Sequence, residues 1–161
     1  MRLELSGTQE IDAPADMVWS RLLDHEFVAA SAPGVESVEA IDPEHYRVVA
    51  GLGVGSMKLR FALQVELVDI EPPSKVRMSV RGNAPGSAMR AEADASLVPI
   101  GPHTSRLDWT VSSDVHGTIA GVGARVLQGT AGKLTRSFWK KFAKRTAAAE
   151  KKASASRPAT A

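Results

Sequence analysis

The fold of this chain is decided by residues 117–145, whose sequence is GTIAGVGARVLQGTAGKLTRSFWKKFAKR. No proline interrupts the stretch, and its apolar residues recur at spacings of three, four or sums of these, which is typical of one helical face. Lys141 and Arg145 project in nearly the same direction as this face, so we expect the helix to leave the body of the domain near Arg145. The predicted apolar stripe consists of Ile119, Val122, Val126, Leu127, Leu134, Phe138 and Phe142.

Upstream of this helix, alternation of apolar and polar residues predicts seven β-strands. Two short helical segments, one ending at Asp24 and one spanning Glu26–Ser31, separate the first strand from the second. Successive antiparallel strands with one apolar face form a curved sheet, and the long helix is the element large enough to cover it. The sequence therefore predicts an α+β fold with strands at Arg2–Ile11, Val35–Ile41, His45–Leu52, Ser56–Ile70, Lys75–Arg81, Ser87–Val98 and Ser105–Val115.

Composition favours a single-domain cytoplasmic protein. The chain has 161 residues and no cysteine, and no apolar run approaches the roughly 20 residues of a membrane span. Strand-like alternation starts at Met1, so we also expect no secretory signal. The net charge is only +2, but residues 133–161 hold nine of the 20 basic residues and one of the 18 acidic ones. This basic end predicts an anionic partner surface, the alternative being a solvated tail that keeps the protein in solution.

One inward strand face predicts a cavity under the helix. Ala91, Ala93 and Ala95 follow one another on one face of a strand, where a packed core favours larger side chains. A space walled by flexible methionines and flat aromatic rings would suit an apolar ligand. The alternative is that the alanines let the helix approach the sheet closely while methionines fill the gaps. The predicted ligand-binding residues are Phe27, Met57, Leu59, Phe61, Met78, Met89, Ala91, Ala93, Leu107, Trp109, Val122 and Val126.

The order of elements resembles the helix-grip fold of the START/polyketide-cyclase (SRPBCC) superfamily, as far as about Arg145. Three segments resemble more closely the CoxG family, which is named for a subunit of carbon monoxide dehydrogenase. Residues 24–36, DHEFVAASAPGVE, resemble its short helix ending in Pro-Gly, although Ser31-Ala32 stands where that family typically has Cys before Ile-Pro-Gly. Residues 82–93 resemble its glycine-rich hairpin, and residues 107–111 followed by 117–132 resemble its last strand and the start of its helix.

This resemblance implies an accessory protein that is not an enzyme and has no cofactor of its own. Members of the family accompany molybdenum hydroxylases of the carbon monoxide dehydrogenase type. They are implicated in membrane attachment of that enzyme and in handling a lipophilic quinone, so the implied ligand is a hydrophobic small molecule, a quinone or a lipid. Some members end in a hydrophobic membrane anchor, which Thr146–Ala161 lacks, so we expect transient peripheral contact with the inner face of the membrane.

The basic end of the helix is the predicted membrane contact. We expect residues 1–145 to form the domain, and residues 146–161, which lack apolar anchors, to form a basic disordered tail. Trp139 is one residue from Phe138 but turned off the apolar stripe, which predicts an aromatic anchor at the lipid interface. A protein partner for the basic end stays open. The predicted membrane-binding residues are Lys133, Arg136, Trp139, Lys140, Lys141 and Lys144.

Catalysis is the alternative function. The four histidines lie in different loops or strand ends without metal-ligand spacing, and no phosphate loop or dinucleotide fingerprint occurs. His116, where the last strand meets the helix, is the best acid–base group of a weak set. A cyclase or hydrolase of the same superfamily is therefore the alternative interpretation. Nucleic-acid binding is disfavoured because the basic residues lack interleaved aromatics beyond Trp139.

Overall fold

The structure, a computed structural model, describes residues 1–156. One antiparallel sheet has the strand order β1-β7-β6-β5-β4-β3-β2, with two short helices between β1 and β2 and a long helix at the end. The predicted helix-grip architecture is thus confirmed. Its elements are β1 (Arg2–Ile11), α1 (Ala15–Leu22), α2 (His25–Ser31), β2 (Val35–Asp42), β3 (His45–Val54), β4 (Met57–Glu71), β5 (Lys75–Ala84), β6 (Ser87–Gly101), β7 (Thr104–Gly117) and α3 (Ala124–Ser156).

The long helix begins later than the sequence predicted. Strand β7 continues to Gly117, and Thr118–Val122 forms a 3₁₀ turn before α3 starts at Ala124. Gly117 and Gly123 both have a positive φ, which L-residues with side chains rarely adopt, so the chain changes direction at each of them. A Cβ at Gly117 would also collide with the carbonyl oxygen of Gly86. The prediction of one continuous helix from Gly117 is therefore wrong.

The long helix also ends later than predicted. It continues without interruption to Ser156, and it buries Thr146 and Glu150 in its last turns. The Glu150 carboxylate accepts a hydrogen bond from Ser154 and lies 3.8 Å from the Nδ1 atom of His103 in the β6–β7 turn. The alanines of this segment favour a helix, which compositional reasoning about disorder did not weigh. The predicted tail is therefore ordered to residue 156, and its last five residues lie outside the described part.

Helix α2 is fixed to α3 by an arginine. The Asp24 side chain caps α2 by accepting a hydrogen bond from the backbone N–H of Phe27. At the other end of α2, Nη1 of Arg145 donates to the Phe27 carbonyl at 2.8 Å and to the Ser31 hydroxyl at 2.9 Å. The Arg145 guanidinium also lies 4.2 Å from the centre of the Phe27 ring. The helix therefore does not leave the domain at Arg145, as predicted, but packs there against α2.

The position of α3 over the sheet creates an uncovered area. The helix packs along β1 and α2, barely reaches β3, and makes little contact with the central strands. Apolar clusters form where it does pack, one around Phe142 and Leu107 and another around Leu127 and Phe61. The inner faces of β3 to β6 between these clusters are therefore not filled by side chains of α3.

Candidate ligand-binding cavity

A cavity of about 320 Å³ lies in this uncovered area. Its size is at the lower end of the range found for small-molecule sites, and its wall is mostly apolar. The wall is built from α1, α2 and the α2–β2 connection, from β2 to β7, and from one face of α3. The lining residues are Leu22, Val28, Ala29, Ala32, Pro33, Val35, Tyr46, Val48, Ala50, Leu52, Leu63, Val65, Leu67, Val76, Met78, Val80, Ala93, Asp94, Ala95, Trp109, Thr110, Val111, Leu134, Thr135, Phe138 and Trp139.

Aromatic rings form one side of the cavity. The indoles of Trp109 on β7 and Trp139 on α3 stack with their centres 6.3 Å apart and their planes at 24°. The Phe138 ring meets Trp139 edge-on at 4.8 Å. Trp109 can lie flat against the sheet because its neighbour on β1 is Gly7, where a Cβ would stand only 2.6 Å from the Trp109 ring. A planar apolar ligand would therefore meet flat surfaces here.

The prediction that Trp139 points toward a membrane is wrong. The residue is 7% exposed and belongs to the main apolar cluster. Trp139 lies about 100° around the helix from Phe138, and α3 rests on the sheet through a face wide enough to include both residues. Its indole also packs edge-on against Phe142, one turn further along. The apolar stripe is thus wider than the spacing of aliphatic residues and phenylalanines indicated.

Three predicted ligand-binding residues, Met78, Ala93 and Trp109, lie on the cavity wall. The other nine do not. Phe27 packs between the guanidiniums of Arg21 and Arg145, and Leu107 is buried in the main cluster. Val126 is 39% exposed, so its predicted place in the wall is wrong. The remaining six are packed around the start of α3 or lie on the sheet beyond the cavity, and they are Met57, Leu59, Phe61, Met89, Ala91 and Val122.

The predicted basic residues are exposed. Lys133, Arg136, Lys140, Lys141 and Lys144 all lie on the solvent side of α3. Lys141 also lines a shallow external groove, which shares Ala32, Pro33 and Val35 with the cavity wall and includes Glu26 and Glu36. We therefore place the mouth of the cavity beside the α2–β2 connection. Membrane contact by these residues stays a prediction.

Sequence reasoning missed Tyr46, the residue with the most polar side chain deep in the cavity. Tyr46 lies on β3 and is 3% exposed, and the His25 ring stacks on it at 4.3 Å. The His25 Nε2 atom is 2.8 Å from the Pro43 carbonyl oxygen, which holds the imidazole in place. Burial raises the pKa of the Tyr46 phenol above its usual value. The alternation Tyr46, Val48, Ala50 could have placed this residue on the inner face.

A family model for CoxG, described as a subunit of carbon monoxide dehydrogenase, matches residues 7–147 of this chain. The chain belongs to the CoxG family. The matched residues include all the cavity-lining residues named above. The family and the fold together support a ligand-binding accessory role in general terms. A comparison with the curated proteins finds no match.

Solved structures share the fold of this CoxG-family protein. A conserved protein from Geobacillus kaustophilus is 29% identical, with a TM-score of 0.82 over 91% of this chain and 95% of that one. A START superfamily protein from Mycobacterium smegmatis is 17% identical, with a TM-score of 0.70 over 89% of this chain and 96% of that one. The Zhui aromatase/cyclase from Streptomyces sp. R1128 is 16% identical, with a TM-score of 0.68 over 91% and 94% of the two chains. Because an enzyme shares the fold, the fold alone does not decide between binding and catalysis.

Two further observations bear on function. His116, the best acid–base group by sequence, is exposed at the end of β7 and does not line the cavity. None of the helices within residues 1–156 combines the length and the apolar character needed to cross a membrane.

Proposed function

We propose that this CoxG-family protein holds a lipophilic ligand, with a quinone as the candidate, in the cavity beneath α3. The protein would serve a molybdenum hydroxylase of the carbon monoxide dehydrogenase type and would contact an anionic membrane through the basic face of α3. It acts as an accessory protein and not as a catalyst. The cavity with its aromatic side carries this proposal.

The chemistry of the wall supports a flat apolar ligand. Trp109, Trp139 and Phe138 offer ring faces and edges, and Met78 adds a flexible, polarisable chain. Aliphatic side chains from β3, β4 and β5 form the opposite side. Transfer of an apolar ring system from water to such a wall is favourable by about 25 cal/mol per Å² of apolar surface buried. A quinone ring with the first part of an isoprenoid chain has this character.

The surface of α3 supports the membrane part of the proposal. Five lysines and arginines are exposed between residues 133 and 144, and no acidic residue lies among them. Each basic residue near an anionic leaflet contributes about 1 kcal/mol, and salt screens this attraction. Since Trp139 is buried, the contact would be electrostatic and reversible. The partner enzyme is proposed from the name of the matched family.

Tryptophan fluorescence tests the proposal directly, because two of the three tryptophans line the cavity. In a Trp19→Phe variant the emission comes from Trp109 and Trp139, and titration with 1,4-naphthoquinone should quench it in a saturable manner. The control is a variant with Trp109→Phe and Trp139→Phe, in which Trp19 is the reporter outside the cavity. Equal quenching in the two variants, or quenching that does not saturate, would contradict ligand binding in this cavity.

A further inference from the structure

The cavity wall has very little free hydrogen-bonding capacity. Among its polar residues, the Asp94 carboxylate pairs with Arg77, whose Nε atom is 2.8 Å away. Thr135 donates its hydroxyl proton to the Ala131 carbonyl in the preceding turn of α3 at 2.7 Å. Thr110 is exposed, because it alternates with the inward Trp109 along β7. These three side chains have their polar groups engaged or outside, which leaves Tyr46.

The Tyr46 hydroxyl has no hydrogen-bond partner among residues 1–156, although the residue is 3% exposed. Buried polar groups are nearly always paired, and an unpaired one costs about 1–3 kcal/mol. The indole N–H groups of Trp109 and Trp139 are likewise unpaired within the described residues. An indole nitrogen only donates, and a phenol donates well. The free polar capacity of the wall is therefore donor capacity.

The position of Tyr46 is rigid. Its backbone is paired with Ala40 on β2 and with Val65 on β4, so it lies in the interior of the sheet. Its ring is held by the His25 imidazole, which the Pro43 carbonyl fixes in turn. Because burial raises the pKa of the phenol, the hydroxyl keeps its proton at neutral and moderately alkaline pH. A fixed, protonated donor at a dry wall can select among ligands.

We propose that the Tyr46 hydroxyl donates a hydrogen bond to a carbonyl oxygen of the bound molecule, so that the cavity selects planar carbonyl compounds over hydrocarbons of the same shape. This inference rests on the proposed function, since it requires a ligand in the cavity. It names a specificity-determining residue and the chemical class of the ligand. A ligand without an acceptor oxygen would leave the phenol unpaired in the complex.

The test compares 1,4-naphthoquinone with naphthalene, which has the same ring system without oxygens. Equilibrium dialysis gives the dissociation constant of each probe for the unmodified protein and for Tyr46→Phe, which removes only the hydroxyl. We expect Tyr46→Phe to weaken naphthoquinone binding about two- to tenfold, the value of one neutral hydrogen bond, and to leave naphthalene binding unchanged. Unchanged naphthalene binding also shows that the variant cavity is intact.

The matched control is Thr135→Val, which removes another hydroxyl from the wall. Because the Thr135 proton is already donated to Ala131, this change should leave the ratio of the two dissociation constants as it is. An equal loss for both probes in Tyr46→Phe, no loss for either, or the same loss in Thr135→Val would overturn the inference. If naphthalene alone binds the unmodified protein, the inference fails while apolar ligand binding stands. If neither probe binds, the inference and the proposed function fail together.

Discussion

Filling the cavity from β6 is the sharpest test of its existence. Ala93 lies on the wall, and replacement by leucine adds three carbon atoms to a space of about 320 Å³. Each buried methylene contributes about 0.8 kcal/mol, and ordering a leucine side chain costs about 0.5–1 kcal/mol. The net effect of Ala93→Leu is therefore a gain of about 1–2 kcal/mol in the free energy of unfolding. For a domain of this size, that gain raises the melting temperature by about 2–6 °C.

The same substitution should reduce binding of naphthoquinone at least tenfold, because the added side chain occupies the space for the ligand. Differential scanning calorimetry and the quenching titration measure the two effects on one preparation. Ala91→Leu is the matched control, since Ala91 lies two residues earlier on the same face of β6 but outside the wall. It should give no gain in stability and no loss of binding. A drop in melting temperature for Ala93→Leu, as overpacking by about 1–3 kcal/mol would cause, together with unchanged binding would refute the cavity.

Two further predictions concern α3. Charge reversal of Lys140, Lys141 and Lys144 to glutamate should abolish co-sedimentation with anionic vesicles at low salt, while the same reversal of three exposed arginines on the outer face of the sheet should not; equal loss in both variants would reduce the effect to net charge. Arg145→Ala removes both hydrogen bonds to α2 and should lower the free energy of unfolding by about 2–3 kcal/mol, whereas Arg136→Ala on the exposed face should cost less than about 0.5 kcal/mol; equal costs would show that Arg145 does not hold α2.

The architecture could be predicted from the sequence because strand alternation is a local signal. Residues 57–67 alternate so regularly that the inner face of β4 follows directly, and the turns between strands are marked by glycine and proline. Each strand finds its neighbour next in the chain, apart from β1, which pairs with β7. The order of elements was therefore enough to define the fold.

The cavity could be predicted only as a feature of the inner face, not as a set of residues. Ala91 and Ala93 have the same face and the same size, yet only Ala93 lines the wall, because α3 crosses the sheet off its centre. Periodicity tells which face is buried but not where along a strand the helix passes. The inward turn of Trp139 has the same origin, since it depends on how α3 rests on β7 and its neighbours. Tyr46 was overlooked because attention went to small and sulfur-containing residues.

The link from Arg145 to α2 makes the width of the cavity mouth dependent on the surface of α3. The Ala32–Val35 connection that forms the mouth follows directly after Ser31, which Arg145 holds. Lys141 and Lys144 lie within one turn of Arg145 on the same rigid helix. A force applied to these lysines by a charged surface is therefore transmitted through one helical turn and two hydrogen bonds to the gate of the cavity, so that docking and ligand exchange are mechanically coupled in this molecule.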